Sequence, residues 1–465
     1  MNAFTDVIAA ISTPPGKGGV AVIRISGDGA FEIAEKIFAP VSKKPFSSYQ
    51  PRLQVYGHIV SDGYVIDDVL VARYPAPNSY TGEDTVEICT HGGTLVTRAV
   101  LDTVFRAGAK PAYAGEFTKR AFINGKLTLN DAEAIANILE ARSEEQLKLG
   151  GKDAKAKLNS KIGNIREILL SLMSSIYARI DYPDEDLGDF DDNDVLEGLI
   201  KAEEALSALI SSYKTGRAIT EGISAVLCGK PNVGKSSVYN AVLGKDAAIV
   251  TSTAGTTRDV LESSVAVGRV LLRLYDTAGI REGAAVGEIE AIGIERSRER
   301  MKEAELIIAV FDTSCPTDSE DAAILEEIKS LGAYKLALFN KSDLKRSEGF
   351  DEASITPCFD EIISITANDV DAVRHILSEK IDKAFTDERL TVGCDAIVSS
   401  ARLYGILNAS LDSVTAAKNG LLAGFPQDTV SSDVERALAA ITESDPRGVN
   451  DEVLGEIFSK FCVGK

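Results

Sequence analysis

The stretch GKPNVGKS, residues 229–236, has the residue types and the spacing of a phosphate-binding loop. It lies between the apolar run SAVLCG and a helical pattern, which is the strand–loop–helix context that such a loop requires. Gly229 and Gly234 let backbone N–H groups turn toward phosphates. Lys235 reaches the outer phosphates, and Ser236 offers its hydroxyl to Mg²⁺. The loop therefore predicts binding of a nucleoside triphosphate, with further contacts at Asn232, Val233 and Ser237.

Two later motifs indicate that the nucleotide carries guanine. In DTAG, which follows an apolar strand, the Asp276 carboxylate can hold Mg²⁺ through water and the Gly279 N–H can contact the γ-phosphate. In NKSD, the Asp343 carboxylate can accept both N–H donors of guanine, which adenine does not supply. TAN completes the predicted base pocket. The predicted contacts in these three motifs are Asp276, Thr277, Ala278, Gly279, Asn340, Lys341, Asp343, Thr366, Ala367 and Asn368.

The loop AAIVTSTAGTTRDV, residues 247–260, separates the phosphate-binding loop from DTAG. Its dense threonines are typical of a switch, in which one threonine completes the Mg²⁺ shell only when the γ-phosphate is present. Many GTPases carry, directly after DTAG, a glutamine that orients the attacking water. This chain carries Ile280, which neither donates nor accepts a hydrogen bond through its side chain. Either the chain hydrolyses its nucleotide poorly, or another group replaces the glutamine.

The elements that must position these motifs alternate between apolar runs and polar loops over residues 221–381. Five runs predict buried strands of an α/β sheet with helices on both faces: ISAVLCG, VLLRLYD, ELIIAVFD, KLALFN and EIISITA. Residues 1–120 combine strand-like runs with Gly and Pro turns and predict an α+β domain. Residues 121–220 and 382–465 are helical in pattern. We therefore predict a multidomain α+β and α/β fold in which the α/β domain is inserted into a split helical domain.

The first helical segment contains two helical patterns separated by an acidic stretch. In the first pattern one apolar stripe predicts a buried face, formed by Ile162, Ile165, Leu169, Leu172, Ile176 and Ile180. We interpret the acidic stretch DYPDEDLGDFDDND, residues 181–194, as a solvated loop. A calcium site is the alternative, but the D-x-D-x-D-G spacing and the late Glu of such a site are missing.

Composition argues against several classes of function. A formal net charge of −20 and an isoelectric point near 4.8 disfavour a large non-specific nucleic-acid surface, although a local basic patch stays open. The six cysteines form no C-x-x-C pair and there are three histidines, so we expect reduced thiols and no zinc site. No apolar run is long enough to cross a bilayer, and the first residues lack the pattern of a signal peptide. We therefore expect a cytoplasmic protein without a membrane partner.

Motifs spread over the whole chain resemble those of the bacterial tRNA-modification GTPases called MnmE or TrmE. The resemblance rests on the nucleotide motifs and on TPPGKGGVAVIRISG, NSYTGED, GEFTKRAFINGKL, DAEAI, AGTTRD and FCVGK. It implies an N-terminal folate-binding domain, a split helical domain, an inserted Ras-like P-loop G domain, and a homodimer formed through the N-terminal domain. It also implies a partner that contains FAD and uses NADH, called MnmG or GidA, in a heterotetramer or larger assembly.

The resemblance further implies the reaction of the two proteins on tRNA. They add an aminomethyl or carboxymethylaminomethyl group at C5 of the wobble uridine of certain tRNAs. The one-carbon unit comes from 5-formyltetrahydrofolate or a related tetrahydrofolate.

The resemblance also implies how GTP is hydrolysed without a glutamine. The G domains pair across the dimer, and K⁺ stabilises transition-state charge where other GTPases insert an arginine finger. The K⁺-binding asparagine corresponds to Asn232, and the second Mg²⁺ ligand, after Ser236, to Thr257. The water-orienting glutamate corresponds to Glu290, with Glu288 as the alternative because a small insertion shifts the alignment. The surrounding loop corresponds to Thr251, Ser252, Thr253, Ala254, Gly255 and Thr256, in which Thr251, Thr253 and Thr256 contact K⁺.

The folate site of the family corresponds to Arg24, Glu87, Lys126 and Lys465. This set is chemically reasonable, because folate carboxylates attract Arg and Lys and a pterin ring presents donors to a carboxylate. Cys462, in FCVGK, is a candidate functional thiol in the resemblance and a packing residue in the alternative interpretation. We discount prenylation of CVGK, since Lys is not a usual last residue of that motif.

Two other functions are compatible with the G-domain motifs alone. A GTP-dependent switch in ribosome or RNA assembly shares them, but such factors usually carry a basic RNA-binding module, and this chain is acidic. A metabolic P-loop kinase is disfavoured by NKSD, because that motif selects guanine.

Overall fold

The computed structural model describes residues 6–181, 192–244, 262–276 and 299–442, together with Phe458, Phe461, Val463 and Gly464. The chain forms two compact units, one made of residues 1–139 and 426–465 and the other of residues 140–425. We call them the first and the second unit. Helices and strands are numbered below in chain order within the described residues.

The first unit is built on a seven-stranded sheet with the order β3-β4-β5-β6-β2-β1-β7. All neighbouring strands are antiparallel except β1 and β7, which are parallel. The strands are β1 Ile8–Ile11, β2 Val20–Ser26, β3 Phe38–Pro40, β4 Val55–Ser61, β5 Tyr64–Tyr74, β6 Thr85–His91 and β7 Lys110–Pro111.

Helices cover one face of this sheet and leave part of the other face open. Helices α1 (Ala30–Ile37) and α2 (Thr94–Arg106) share a core with alternate residues of β2, β4, β5 and β6, among them Ile23, Ile59 and Ile88. On the opposite face, Phe117 of helix α3 (Glu116–Ile123) packs with Ile8 and Ala10 of β1. Successive side chains of a strand point to opposite faces of the sheet. Arg24, Glu87 and the residues two positions away from each along its strand therefore lie on the face without α1 and α2.

Two further helices belong to the first unit. They are α4 (Leu129–Glu140), of which all but the last residue lies in this unit, and a late helix, Gln427–Thr442. Leu129 and Ala132 of α4 share a small core with Phe122, Phe458 and Phe461. An isolated bridge pairs Val463 with Ala114, so the last described residues lie on the first unit.

The second unit contains a six-stranded sheet with the order β13-β12-β11-β8-β10-β9. Its neighbouring strands are parallel except for the antiparallel pair β9–β10. The strands are β8 Ile223–Cys228, β9 Glu262–Val267, β10 Val270–Asp276, β11 Leu306–Asp312, β12 Tyr334–Asn340 and β13 Glu361–Ser364. One core packs on each face of the sheet, which explains why the strands are continuous apolar runs.

The second unit also contains a layer of long helices. Its helices are α5 Glu144–Gly150, α6 Lys152–Asp181, α7 Asp192–Thr220, α8 Lys235–Leu243, α9 Ser319–Lys329, α10 Glu352–Ile355, α11 Val370–Phe385 and α12 Ala401–Leu422. The Gln427–Thr442 helix of the first unit is therefore α13. Helix α7 packs against both α6 and α12, and the rings of Tyr213 and Tyr404 stack with centroids 4.1 Å apart.

The architecture confirms the predicted multidomain α+β and α/β fold, while the domain boundaries remain a prediction.

The apolar stripe of α6 is buried from Ile162 to Ile176, but Ile180 is 40% exposed, so its assignment to the buried face was wrong. The stripe ends there because α6 is near its last turn at this position. Most of the acidic stretch, residues 182–191, lies outside the described residues.

Candidate functional site

The phosphate-binding loop joins the end of β8 to the start of α8. Gly229 has a φ of 145° and Gly234 a φ of 103°. A Cβ on Gly229 would lie 2.5 Å from the Val310 carbonyl oxygen, and one on Gly234 would lie 2.2 Å from Asn340 Nδ2. Glycine is therefore required at both positions by conformation and by space. The resulting loop opens at the N-terminus of α8, where free N–H groups attract anions.

Two lysines hold this loop at different points. Lys235 Nζ donates a hydrogen bond of 2.7 Å to the Lys230 carbonyl oxygen, so its ammonium lies over the loop itself. Lys230 Nζ contacts Asp318 Oδ2 at 2.8 Å and Asp321 Oδ2 at 2.7 Å at the start of α9. Burial alone would lower the pKa of Lys230, but the two carboxylates outweigh it and raise the pKa above its usual range. The loop is thus anchored to α9 by a charged side chain.

Asn340, at the end of β12, is 2% exposed and joins two loops of the site. Its Nδ2 donates to the Val233 carbonyl oxygen at 2.7 Å, and its Oδ1 accepts from the Ala367 N–H at 2.8 Å. The NKSD and TAN motifs are therefore tied directly to the phosphate-binding loop. A direct contact of Asn340 with the nucleotide stays a prediction, whereas its role in positioning the loops around the site is visible in these two hydrogen bonds.

The other polar residues of the base pocket lie beside Asn340. The Asp343 carboxylate is exposed and accepts from Thr366 Oγ1 at 3.2 Å, which leaves acceptor capacity for a base. Lys341 Nζ donates to Asp312 Oδ2, and Asp312 also accepts from the Ser314 N–H at 2.9 Å. Burial raises the pKa of Asp312, but the hydrogen bonds from Lys341 and Ser314 outweigh burial and hold that pKa below its usual value.

Asp312 was missed by sequence reasoning. The sequence did contain a signal for it, because Asp312 is the acid that ends the apolar run ELIIAVFD. That run forms β11, which pairs directly with β8, the strand before the phosphate-binding loop. Carboxyl ends of neighbouring parallel strands share one edge of a sheet.

The structure brings part of the predicted magnesium and potassium sites to this edge. Ser236 and Ser237 are exposed in the first turn of α8, and Asn232 is exposed in the loop with a φ of 64°. An exposed hydroxyl and an exposed amide oxygen suit a cation held beside phosphates. Within the described part of the chain, no group of three His, Cys, Asp or Glu side chains forms a metal cluster by itself.

Several predicted site residues lie outside the described residues. They are Thr251, Ser252, Thr253, Ala254, Gly255, Thr256, Thr257, Thr277, Ala278, Gly279, Ile280, Glu288, Glu290, Cys462 and Lys465. Of Asp276, the last residue of β10, only the backbone is described.

A second polar site lies on the sheet of the first unit, where Arg24 and Glu87 face each other across β2 and β6. Arg24 donates to Glu87 Oε1 from Nε at 3.0 Å and from Nη2 at 2.8 Å. Its guanidinium lies 5.0 Å from the ring centre of Tyr80 and 5.6 Å from that of Phe117. Two rings and a carboxylate thus fix the orientation of a cation at the margin of the open sheet face.

Lys126 contacts the loop that carries Tyr80. Its Nζ donates to the Pro77 carbonyl oxygen at 2.9 Å, and its stem lies against Gly82. The carbonyl oxygen of Gly464, the residue before Lys465, accepts from Ser12 Oγ at 2.9 Å, which places Gly464 beside β1.

A buried ion pair supports this loop and was also missed from the sequence. Arg120 and Glu83 are 1% and 3% exposed, and Arg120 Nη1 lies 3.2 Å from Glu83 Oε2. Arg120 also contacts Glu116 Oε1 at 2.8 Å, and Glu83 accepts from Ser26 Oγ at 2.9 Å. The pair joins the two motifs NSYTGED and GEFTKRAFINGKL, which are separate signals in the sequence.

Two family models match most of the chain. A family model described as "GTP-binding protein TrmE N-terminus" matches residues 7–126, and one described as "MnmE helical domain" matches residues 129–462. The chain is 38% identical to the "tRNA modification GTPase MnmE" of Carboxydothermus hydrogenoformans and to that of Acetivibrio thermocellus, over 99% of each chain. It is 37% identical to the protein of the same name from Lactococcus lactis subsp. cremoris, over 99% of this chain and 98% of that one.

Among the described helices, none is both long and apolar enough to cross a membrane. The relatives match along their full length, and the two family models together cover both units. The chain therefore belongs to the MnmE family of tRNA modification GTPases and is an enzyme that binds and hydrolyses GTP.

Proposed function

We propose that this chain is a K⁺-activated, dimeric GTPase whose GTP cycle drives modification of the tRNA wobble uridine. The main support for the proposal is that Asn340 of the NKSD motif hydrogen-bonds both the phosphate-binding loop and the TAN motif at one edge of the sheet. This edge combines a phosphate cradle, an exposed Ser236 hydroxyl for Mg²⁺ and the exposed Asp343 carboxylate for guanine. The names of the full-length relatives support tRNA modification as the process that the GTPase serves.

Potassium would act at the phosphate-binding loop. Asn232 is exposed in that loop, where its side chain can supply an oxygen to a cation beside the β- and γ-phosphates. A cation at this point stabilises the charge that develops during phosphoryl transfer. Glu290, or Glu288, would orient the water in place of the glutamine that Ile280 replaces. Thr257 would complete the Mg²⁺ shell, and Thr251, Thr253 and Thr256 would line the K⁺ site.

The open sheet face of the first unit supports the proposed homodimer. Val22, Cys89, Leu70 and Tyr56 are direct neighbours across four adjacent strands on this face. Tyr56 is 51% exposed and Leu70 38% exposed. An apolar row of this kind on a sheet whose other face is covered by helices suits burial against a second copy of the chain.

The Arg24 site at the margin of the same face would bind the tetrahydrofolate. Glu87 would accept donors of the pterin ring, while Arg24, Lys126 and Lys465 would attract its carboxylates. The donor would be 5-formyltetrahydrofolate or a related tetrahydrofolate, and Cys462 would lie near it as a functional thiol. An FAD-containing, NADH-using partner (MnmG or GidA) would complete the tRNA-modifying assembly in the cytoplasm.

The experiment is GTP turnover by the purified chain in KCl and in NaCl at equal ionic strength, with Asn232→Ala measured alongside. The proposal predicts strong acceleration by K⁺ and loss of that response in the variant. Slow turnover that is indifferent to the cation would overturn the K⁺ mechanism and favour a GTP-dependent assembly switch.

A further inference from the structure

Asp312 lies in the middle of the sheet edge that carries the nucleotide motifs. It ends β11, which pairs with β8 on one side and with β12 on the other. The phosphate-binding loop follows β8, and the NKSD motif follows β12. Asp312 therefore lies between the loop that suits phosphates and the motif that suits a base. Its side chain is 6% exposed, and a carboxylate buried to this extent needs donors around it.

Both oxygens of the Asp312 carboxylate accept hydrogen bonds. Oδ1 accepts from the Ser314 N–H at 2.9 Å and from Ser314 Oγ at 2.6 Å. Oδ2 accepts from Lys341 Nζ and from Cys315 Sγ at 3.7 Å. Ser314 and Cys315 are close neighbours of Asp312 in the chain, whereas Lys341 is 29 residues away. The contact with Lys341 is therefore the one that joins two of the loops at this edge.

The main chain fixes both partners of this ion pair. The Asn340 carbonyl oxygen accepts from the Thr313 N–H at 3.1 Å and from Thr313 Oγ1 at 3.0 Å, so the ends of β11 and β12 are held together. Lys341 has a φ of 60°, a left-handed conformation that residues other than glycine adopt rarely. Its carbonyl oxygen accepts from the Leu344 N–H at 3.0 Å, which closes the turn behind it.

The ion pair also sets the direction of the Lys341 side chain. Its aliphatic stem runs from the end of β12 toward the end of β11, which is the side on which the phosphate-binding loop lies. A nucleotide with phosphates on that loop and its base at Asp343 has to cross the same space. A lysine stem covers apolar surface, and an ammonium is attracted to the face of an aromatic ring.

We propose that Asp312 is a positioning residue for the nucleotide, holding Lys341 so that its stem forms a wall of the site between the phosphate-binding loop and Asp343. Asp312 acts through Lys341 and not by touching the nucleotide. Because one conformation of a long side chain is selected before binding, less conformational entropy is lost when the nucleotide binds. The inference rests on the proposed function for the placement of guanine at Asp343.

The test is a double-mutant cycle on the affinity of the full chain for a fluorescent GDP analogue. Asp312→Asn keeps the shape of the side chain and removes its charge, and Lys341→Met keeps an apolar stem and removes the ammonium. We expect each single variant to raise the dissociation constant about tenfold, as for loss of one charge-assisted contact. The double variant should bind no more weakly than Lys341→Met alone, because both changes remove the same interaction.

Steady-state GTP turnover gives a second readout that a purely structural role would not produce. Asp312→Asn should raise KM for GTP about tenfold and change kcat by less than about threefold, since a wall of the site contacts substrate and transition state alike. The matched control is Asp382→Asn. Asp382 is a half-buried carboxylate of α11 that accepts from the Arg269 N–H at 2.8 Å, at the end of β10 opposite to Asp276.

The control should bind GDP like the wild type. The proposal is overturned if Asp312→Asn binds GDP as tightly as the wild type or more tightly, if the two single losses add in the double variant, or if the control loses as much affinity. A crystal structure of the wild-type chain with GDP tests it without any variant. The Asp312–Lys341 contact should persist there, and a Lys341 turned away from Asp312 would refute the proposal. The proposed function fails separately, if K⁺ does not accelerate GTP turnover by the wild type.

Discussion

The two candidate sites of this protein use opposite structural solutions to hold polar groups beside a ligand. The nucleotide edge of the second unit relies on backbone groups at the carboxyl ends of parallel strands, joined by the neutral side chain of Asn340. The site on the first unit relies on charged side chains that meet across antiparallel strands, with the buried Arg120–Glu83 pair behind them.

This difference predicts different sensitivities to mutation. At the nucleotide edge, each motif is a short run of consecutive residues, so its geometry is mostly local. At the Arg24 site, the geometry depends on strand register, because Arg24 and Glu87 are 63 residues apart in sequence. Loss of a side chain within one motif should disturb the first site, and loss of either partner of the cross-strand ion pair should disturb the second.

The largest expected effect is on base recognition at the nucleotide edge. Asp343→Asn replaces the carboxylate that we propose as acceptor for two guanine N–H donors with an amide, which also donates. Hydrogen bonds to a charged group contribute about 1.5–3 kcal/mol each, so we expect GTP affinity to fall about 100-fold or more. Xanthosine triphosphate should bind the variant better than GTP does, since its C2 carbonyl accepts from the new amide. Calorimetry with both nucleotides checks this, and unchanged GTP affinity would remove Asp343 from the base pocket.

The corresponding change in the first unit is Arg24→Ala. It removes a guanidinium that two rings and Glu87 orient, so we expect tetrahydrofolate affinity to fall about 10- to 100-fold, as for loss of one charge-assisted contact. Affinity for GTP should not change, because that site is built from other elements. Equilibrium dialysis with 5-formyltetrahydrofolate measures the loss.

The matched control for this change is Arg98→Ala, which removes an exposed arginine from α2 on the opposite face of the same sheet. Folate affinity of the control should equal that of the wild type. Equal folate binding by Arg24→Ala and the wild type would contradict the prediction.

A smaller effect is expected from Asn340→Ala. The change leaves the Val233 carbonyl and the Ala367 N–H without their buried partner, which costs about 1–3 kcal/mol of stability. Denaturant unfolding of the full chain measures this loss. The control is Asn368→Ala, because Asn368 is exposed and should change stability by no more than about 0.5 kcal/mol. If both variants are equally stable, Asn340 does not join the loops as described.

The smallest effect is a pH dependence in the first unit. His91 Nδ1 lies 2.6 Å from Asp67 Oδ1, and this hydrogen bond and charge raise the pKa of His91 above its usual value. The pair therefore stabilises the fold fully below the unfolded pKa, and the contribution is lost as pH rises through the folded pKa. The thermal midpoint should decrease slightly on that rise in the wild type and less in Asp67→Asn. An equal change in both would contradict the assignment.

Sequence reasoning succeeded where the chemistry is local. The phosphate-binding loop, the apolar strands around it and the NKSD motif follow from runs of fewer than about ten residues, and the structure places them at one edge. The stripe on α6 was predicted by helical spacing except at Ile180, because periodicity does not show where the packing partner ends.

Long-range pairings were not accessible in the same way. The link that Asn340 makes between loops was not predicted, and Asp312 was overlooked although it ends a predicted strand. Arg24 and Glu87 were found only through the family resemblance, since nothing local distinguishes them from ordinary strand residues. The buried Arg120–Glu83 pair depends on tertiary packing of α3 against the loop after β5, which no pattern in the sequence specifies.

The most direct test of the account is formation of the modified wobble uridine in a reconstituted reaction, quantified by mass spectrometry of digested tRNA. The reaction contains the chain, the proposed FAD-containing partner with NADH, GTP, KCl and a tetrahydrofolate donor. We predict product with the wild type and none with Lys235→Met or with Arg24→Ala, even though the first variant still binds folate and the second still binds GTP. Wild-type amounts of product from either variant would contradict the claim that both sites serve one reaction.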